Sequence, residues 1–99
     1  MEYKEIYELL DKIRKAKNAD YGDSFGKTFR EFGMIAPVVR IADKVERLKA
    51  ISSIERQVED ETIDDTLLDL ANYAIMTFRE RSYERDRLGM DEANLEALR

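Results

Sequence analysis

Apolar side chains recur every three or four residues along most of the chain, the spacing that places them on one face of an α-helix. The first run predicts a helix from about residue 2 to residue 19, ending near the turn at Gly22. Ser24 can cap a short second helix that stops at Gly33. The apolar positions of these two helices are Ile6, Leu9, Leu10, Ile13, Ala16, Phe25, Phe29 and Phe32.

Two longer helices follow in the same pattern. Pro37 suits the first turn of a third helix, which should fade near Ser52. A fourth helix should begin at Thr62 as its N-cap and reach Leu88 before Gly89, about 40 Å at 1.5 Å per residue. The apolar stripes predicted to face the core are Val38, Ile41, Ala42, Val45 and Leu48 on the third helix, and Ile63, Leu67, Leu70, Ala71, Ala74 and Phe78 on the fourth.

This pattern predicts an all-α fold, a small bundle of three main helices with short additional helices. The 99 residues form one domain, with a core over about residues 2–78 and a charged helical extension and tail over 79–99. A content of 39% charged and 43% hydrophobic residues, with one Pro and four Gly, fits amphipathic helices better than strands.

Composition excludes several kinds of chemistry. Without Cys the chain has no disulfide or thiolate metal site, and without His it has no imidazole zinc site or Ser-His-Asp triad. A net charge of −5 disfavours general nucleic-acid binding. No apolar run approaches the ~20 residues of a membrane span, and the charged N-terminus does not read as a signal peptide. We therefore expect no membrane partner and a cytoplasmic location.

The far end of the fourth helix predicts self-association. Residues 79–88 include seven charged side chains, too many for an intrachain core to hold, and the helix is too long for so small a domain. Tyr73 and Met76 lie outside its main apolar stripe. A homodimer or homotetramer would give both features a packing partner.

The most informative polar feature is an acidic run at the start of this helix. Six of the eleven residues from 59 to 69 are acidic and none is basic. Acidic side chains favour a helix N-terminus, but Asp69 lies nearly two turns inside, where that effect has faded. Along the helix, Glu61, Asp65, Asp69 and Asn72 form one stripe. A solvated face and a metal or phosphate site both remain open interpretations.

The third helix offers a basic counterpart. Arg40, Asp43 and Arg47 share a face, and Lys44 lies beside them. Such a ladder on a solvated surface stabilises a helix by only a few tenths of a kcal/mol per pair. The functional alternative is that Asp43 joins Asp65 and Asp69 around Mg²⁺, with the basic side chains on phosphate oxygens.

Four blocks carry a family resemblance: KNADYGDSF (17–25), FG (32–33), RIADKVERL (40–48), and Val58 with DETIDDTLLDLANYA (60–74). In order and spacing they resemble the small phage and prophage proteins of the nucleotide modification associated domain type 1 family. The resemblance implies a phage or mobile-element origin, a link to nucleotide metabolism and, for a phage-encoded protein, the host cytosol.

A weaker similarity points to the all-α nucleoside triphosphate pyrophosphatases, the MazG and dimeric dUTPase group. Those proteins hold Mg²⁺ between acidic residues of two antiparallel helices and cleave between the α- and β-phosphates. The similarity implies Asp43, Glu61, Asp65 and Asp69 as metal ligands, with Asp65 and Asp69 catalytic. Here the paired Glu of the first metal helix is absent, and the acids of the second stand at i,i+4 rather than i,i+3.

The turn after the first helix has its own candidate chemistry. Tyr21 can stack on a base and Ser24 stands where free helix amides can receive an anion. A glycine turn with aromatic residues in the core explains the same residues. The predicted nucleotide- and phosphate-binding set is Tyr21, Ser24, Arg40, Lys44, Arg47 and Asn72.

Two functions follow from these residues. One is a Mg²⁺-dependent nucleoside triphosphate pyrophosphohydrolase. The other is a phage-type protein that sequesters a nucleotide or nucleotide-derived molecule, or modulates a partner enzyme, without turnover. A purely structural interaction protein is third, and would leave both charged stripes exposed without converging.

Overall fold

The computed structural model describes residues 1–53 and 60–89, apart from the side chains of residues 20, 21, 60 and 61. The helices are α1 (Tyr3–Tyr21), α2 (Ser24–Phe32), α3 (Ile35–Ser52) and α4 (Asp60–Arg87). The described residues contain no strand, which confirms the all-α prediction. No helix among them is long and apolar enough to cross a membrane.

Two glycines end the first two helices. Gly22 and Gly33 have φ of 67° and 76°, a region that L side chains rarely adopt. Each amide donates back into the preceding helix, Gly22 to the Asn18 carbonyl and Gly33 to the Phe29 carbonyl, both at 2.7 Å. The chain can therefore change direction within a few residues, so that α2 packs against α3 and α4 while α1 packs against α4.

Helix starts differ from the predicted caps at two places. Asp23, not Ser24, is the N-cap of α2, and its side chain accepts a hydrogen bond from the Gly26 amide. Thr62 lies inside α4, which already begins at Asp60. At α2 the reason is that Asp and Ser both cap helices well, and Asp23 is the residue whose side chain also contacts Arg30. Pro37 does lie in the first turn of α3, fully buried.

The apolar core is small and lies where α2 meets its neighbours. Its buried apolar side chains are Leu10 from α1, Phe25 and Phe29 from α2, and Pro37 from α3. α3 makes its most extensive contact with α4, and α2 touches both. The inward face of α4 supplies polar side chains to this interior.

Only part of the predicted core stripe of α4 faces the interior of the protomer. Leu67 is 48% exposed, Phe78 is 52% exposed and Ala74 is exposed, whereas Ile63, Leu70 and Ala71 are half-buried. The most buried side chains of the described part of α4 are polar, among them Thr66, Asn72 and Thr77. The two threonines are buried at low cost because their hydroxyls donate to carbonyls one turn earlier. The α3 stripe is also partly exposed, at Val38, Ala42 and Val45.

Candidate functional site

A cleft of about 830 Å³ opens beside the polar face of α4. The second half of α1 forms one wall, the α1–α2 turn the floor, and α4 the other wall. We call this space the main cleft. Among its lining residues are Lys17, Ser24, Phe25, Arg40, Asp69, Asn72 and Tyr73.

An aromatic pair forms part of the cleft wall. The Phe25 and Tyr73 rings stack with centroids 6.1 Å apart and an angle of 13° between their planes. The Arg40 guanidinium lies 5.7 Å from the Phe25 centroid. Phe25 is buried and Tyr73 only half-buried, so Tyr73 has the more accessible ring.

Asn72 lines the main cleft although it is only 6% exposed. Its amide nitrogen donates to the Leu10 carbonyl at 3.1 Å, which fixes the orientation of the amide. Its Oδ1 is buried and has no hydrogen-bond donor among the described residues. A buried acceptor without a donor costs about 1–3 kcal/mol, so a bound molecule that donates here would recover part of that cost.

A second, smaller space of about 360 Å³ adjoins α3. We call it the basic recess, and it is lined by Arg40, Asp43, Lys44, Arg47 and Tyr73. The structure thus brings together the basic side chains that were predicted to share a face. Because Arg40 and Tyr73 also line the main cleft, the two spaces adjoin at these residues.

Asp69 is held by lysines from two other helices. Its Oδ1 accepts from the Lys17 ammonium at 2.8 Å and its Oδ2 from the Lys44 ammonium at 2.9 Å. Burial raises the pKa of this carboxyl, but the hydrogen bonds and charges of Lys17 and Lys44 together lower it below its ordinary value of 3.8. Asp69 therefore links α1, α3 and α4 as an ionised group.

The described side chains do not fit the predicted Mg²⁺ site. Asp69 lines the main cleft and Asp43 the basic recess, whereas Asp65 is exposed and lines neither. Within residues 1–53 and 60–89, no group of three or more acidic side chains is placed to hold a metal. Both oxygens of Asp69 already face ammonium groups, which would repel a cation. The Glu61 side chain lies outside the described set, and the magnesium hypothesis stays a prediction.

The α2 N-terminus already has its own anion. Asp23 is the N-cap of α2: its Oδ1 accepts from the Gly26 amide at 3.3 Å and its Oδ2 accepts from Arg30 at 3.0 Å. Ser24 lines the main cleft and is exposed, but the neighbouring Asp23 takes the place that an external anion would use. The other turn candidate, Tyr21, has a side chain outside the described set.

Sequence reasoning missed a buried carboxylate beside Asp23. Glu80 is buried on α4, and Arg30 bridges it at 3.4 Å while also pairing with Asp23. The Arg30 hydrogen bond is the main reason that the pKa of Asp23 is lowered. Gly26 leaves space for this cluster. In the sequence the acidic Glu80 signalled only a charged helix end, and nothing pointed to Arg30 fifty residues earlier.

The main cleft is basic although the chain is acidic. Five basic and three acidic side chains line it, against a net charge of −5 for the whole chain. Arg40, Arg47 and Arg79 form no ion pair with any described residue; the Arg79 Nε donates instead to the Tyr83 hydroxyl. The arrangement suits a ligand that combines a flat ring with negative charge.

The sequence pattern of nucleotide modification associated domain 1 matches residues 17–79. The chain belongs to this family. The matched segment contains the basic recess and the Asp69 link, and most of the lining of the main cleft. In this member, Arg14 and Lys15 on the near side of the cleft and Glu80 on the far side fall outside the match.

Comparison with curated proteins and with solved structures gives no significant match. The similarity to the MazG and dimeric dUTPase group therefore stays a hypothesis. Tyr73 and Met76, which we expected at a subunit interface, line the main cleft and are half-buried. Their position is therefore explained by the cleft of one protomer.

Proposed function

We propose that the chain binds a nucleotide, or a small molecule derived from one, with the base in the main cleft and the phosphates at the basic recess. The observation that carries this proposal is the buried Oδ1 of Asn72, which has no donor within residues 1–53 and 60–89. It lies in the same cleft as the stacked rings of Phe25 and Tyr73, next to Arg40. Membership in a family associated with nucleotide modification supports the same class of ligand.

The base half of the proposal rests on Tyr73 and Asn72. Stacking of a base on an aromatic ring contributes roughly 1–3 kcal/mol. The Asn72 Oδ1 would accept from an amino or imino group on the edge of the base, because the amide nitrogen is committed to the Leu10 carbonyl. A ligand with a ring and a hydrogen-bond donor satisfies both groups at once.

The phosphate half rests on Arg40 and Arg47. Both residues line the basic recess, and neither has an ion-pair partner among the described residues. Arginine holds phosphate with paired, charge-assisted hydrogen bonds. Lys44 adds positive charge to the same recess while its ammonium bonds Asp69.

Binding without turnover is the form of this function that the described geometry favours. The recess offers cations for phosphate, but the carboxylates needed to activate a metal-bound water do not converge in the described residues. A phage or prophage protein of this kind would sequester a nucleotide signal or modulate a partner enzyme. Mg²⁺-dependent pyrophosphohydrolysis is the alternative outcome of the tests below.

Calorimetry of the wild-type chain against nucleoside mono-, di- and triphosphates, nucleosides and inorganic triphosphate tests the proposal. At least one nucleotide should bind at least tenfold more tightly than inorganic triphosphate, because only the nucleotide reaches Asn72 and Tyr73. If inorganic triphosphate bound as tightly as the nucleotide, the base would not contribute to binding, and the proposed base site would be refuted. No heat and no thermal shift with any of them would refute nucleotide binding.

A matched pair of arginine variants locates the phosphates. Arg47→Ala should weaken nucleotide binding about tenfold or more, because a hydrogen bond to a charged group contributes about 1.5–3 kcal/mol. Arg87→Ala is the control, since Arg87 is exposed on α4 and its ion-pair partner among the described residues is Glu84, at 3.9 Å. Equal loss in both variants would mean general electrostatic attraction and would count against a phosphate site in the recess.

Product analysis separates binding from catalysis. A sequestering protein incubated with Mg²⁺ and the bound triphosphate releases neither pyrophosphate nor monophosphate. If products form, Asp65→Asn reports on the metal: loss of turnover with unchanged affinity would support the hydrolase and assign Asp65 a role that its exposed position does not suggest.

A further inference from the structure

The outer face of α4 carries a continuous apolar seam. Leu67, Ala71, Ala74 and Phe78 follow one another at spacings of four, three and four residues, the pattern of a helix seam that packs against another helix. Leu67 and Phe78 are about half exposed and Ala74 is exposed. Ile75, also exposed, flanks the seam. A surface of this kind on a charged helix marks an interaction site.

We infer that this seam binds the same seam of a second copy of the chain, with the two α4 helices antiparallel about a twofold axis. The axis crosses the seam midway between Ala71 and Ala74. This operation places Leu67 of one copy opposite Phe78 of the second, and Ala71 opposite Ala74. Each layer then combines two large or two small side chains, and the small central layers let the helices approach closely.

Charge complementarity selects the antiparallel direction. The same operation places Asp64 of one copy opposite Arg81 of the second, at both ends of the seam. Both side chains are exposed, and neither forms an ion pair with a described residue. A parallel pair would instead align Asp64 with Asp64 and Arg81 with Arg81, and like charges repel.

In this arrangement the Phe78 ring would contact the second copy as well as Arg85 of its own protomer. The Arg85 guanidinium lies 5.2 Å from the centroid of the Phe78 ring. The proposed register brings position 60 of the second copy, an aspartate in the sequence, opposite Arg85. The Arg85 guanidinium would then lie at the end of the seam, close to the second copy.

The seam leaves the main cleft open. Asp69, Asn72 and Tyr73 line the cleft, and their face of α4 lies roughly 180° around the helix from the seam centre at about 100° per residue. Ile75, which flanks the seam, also reaches the edge of the cleft. Pairing through the seam therefore does not depend on the proposed nucleotide function, and nucleotide binding does not depend on pairing.

Light scattering after size exclusion tests the interface with the full chain at micromolar concentration. The wild type should have twice the 11.6 kDa chain mass, or a multiple of that dimer. Phe78→Asp and, separately, Ala74→Glu should halve the mass while circular dichroism keeps its helical signal, because both positions are exposed in the protomer. Phe32→Asp, at an exposed position of α2, is the matched control and should keep the wild-type mass.

Charge reversal tests the direction. Asp64→Arg and Arg81→Asp should each raise the dimer dissociation constant at least several-fold. The double variant should have a dissociation constant close to that of the wild type. Three results would overturn the inference: a wild-type monomer at 100 micromolar, seam variants that fold and keep the wild-type mass, or a double variant no better than the single ones. If Phe78→Asp does not fold, Ala74→Glu decides alone.

Discussion

Replacing Asp69 by Asn should destabilise the ligand-free protein and thereby separate a structural ion pair from a metal ligand. In a cluster of repelling carboxylates, removing one charge leaves the fold as stable or more stable. In the structure Asp69 instead lies between two ammonium groups, Lys17 from α1 and Lys44 from α3. The asparagine would leave both lysines without their shared anion.

The size of the effect follows from the exposure of the three side chains. Asp69 is 19% exposed and Lys44 27% exposed, so their contact is partly shielded from solvent, whereas Lys17 is 57% exposed and its contribution is screened. A hydrogen bond to a charged group contributes about 1.5–3 kcal/mol when shielded and about 0.2–1 kcal/mol as an exposed pair. Because asparagine keeps one acceptor, we expect a net loss of about 1–2 kcal/mol.

Thermal and urea denaturation measure this loss. For a domain of this size, a loss of about 1 kcal/mol lowers the melting temperature by roughly 4–8 °C. The matched control is Asp65→Asn, one turn away on the same helix, exposed and without an ion pair among the described residues. It should change stability by no more than about 0.5 kcal/mol. Mg²⁺ should not change the melting temperature of either variant or of the wild type.

The reasoning fails if Asp69→Asn is as stable as the wild type, or if the two asparagine variants lose the same amount. A melting temperature that rises with Mg²⁺ in the wild type and not in Asp69→Asn would contradict it more directly. That result would support the metal hypothesis and show that a cation can displace Lys17 and Lys44 from Asp69.

Two further predictions concern acid stability and the Asp23 cluster. The lowered pKa of Asp69 and of Asp23 means that their stabilisation is present above their ordinary value of 3.8 and is lost as the pH falls through their lower folded values. The free energy of unfolding should therefore decrease below about pH 4, and it should decrease less steeply with pH in Asp69→Asn than in the wild type. The same slope in both proteins would contradict this prediction. Gly26→Ala should cost about 1–3 kcal/mol, because its Cβ would meet Asp23 oxygens at 2.5 and 2.7 Å and Glu80 at 2.7 Å. The neighbouring exposed Lys27→Ala is the control, and a melting temperature of Gly26→Ala equal to that control would refute the close packing.

Helix positions could be predicted because their signals are local. Glycines with positive φ follow α1 and α2, and Pro37 marks the first turn of α3. The common face of Arg40, Asp43 and Arg47 is equally local, since residues three and four apart on one helix must be neighbours. The basic recess is therefore the part of the candidate site that sequence reasoning located best.

The direction in which each face points could not be predicted in the same way. Periodicity shows which side chains of α4 share a face, but a polar face can be buried if its groups find partners. The partner of Asn72 is the Leu10 carbonyl, and the partners of Asp69 lie on α1 and α3. Such contacts join residues far apart in the sequence, and no local pattern signals them.

The helix α4 has two faces, and we propose a different role for each. Residues 69, 72, 73 and 76 line the main cleft, whereas residues 67, 71, 74 and 78 form the seam, so each turn contributes to both faces. Ile75 lines the cleft and flanks the seam, so the two faces meet at this position. We therefore expect substitutions at cleft positions other than Ile75 to change ligand binding without changing the proposed assembly, provided that the link from Asp69 to α1 and α3 keeps the helix in place.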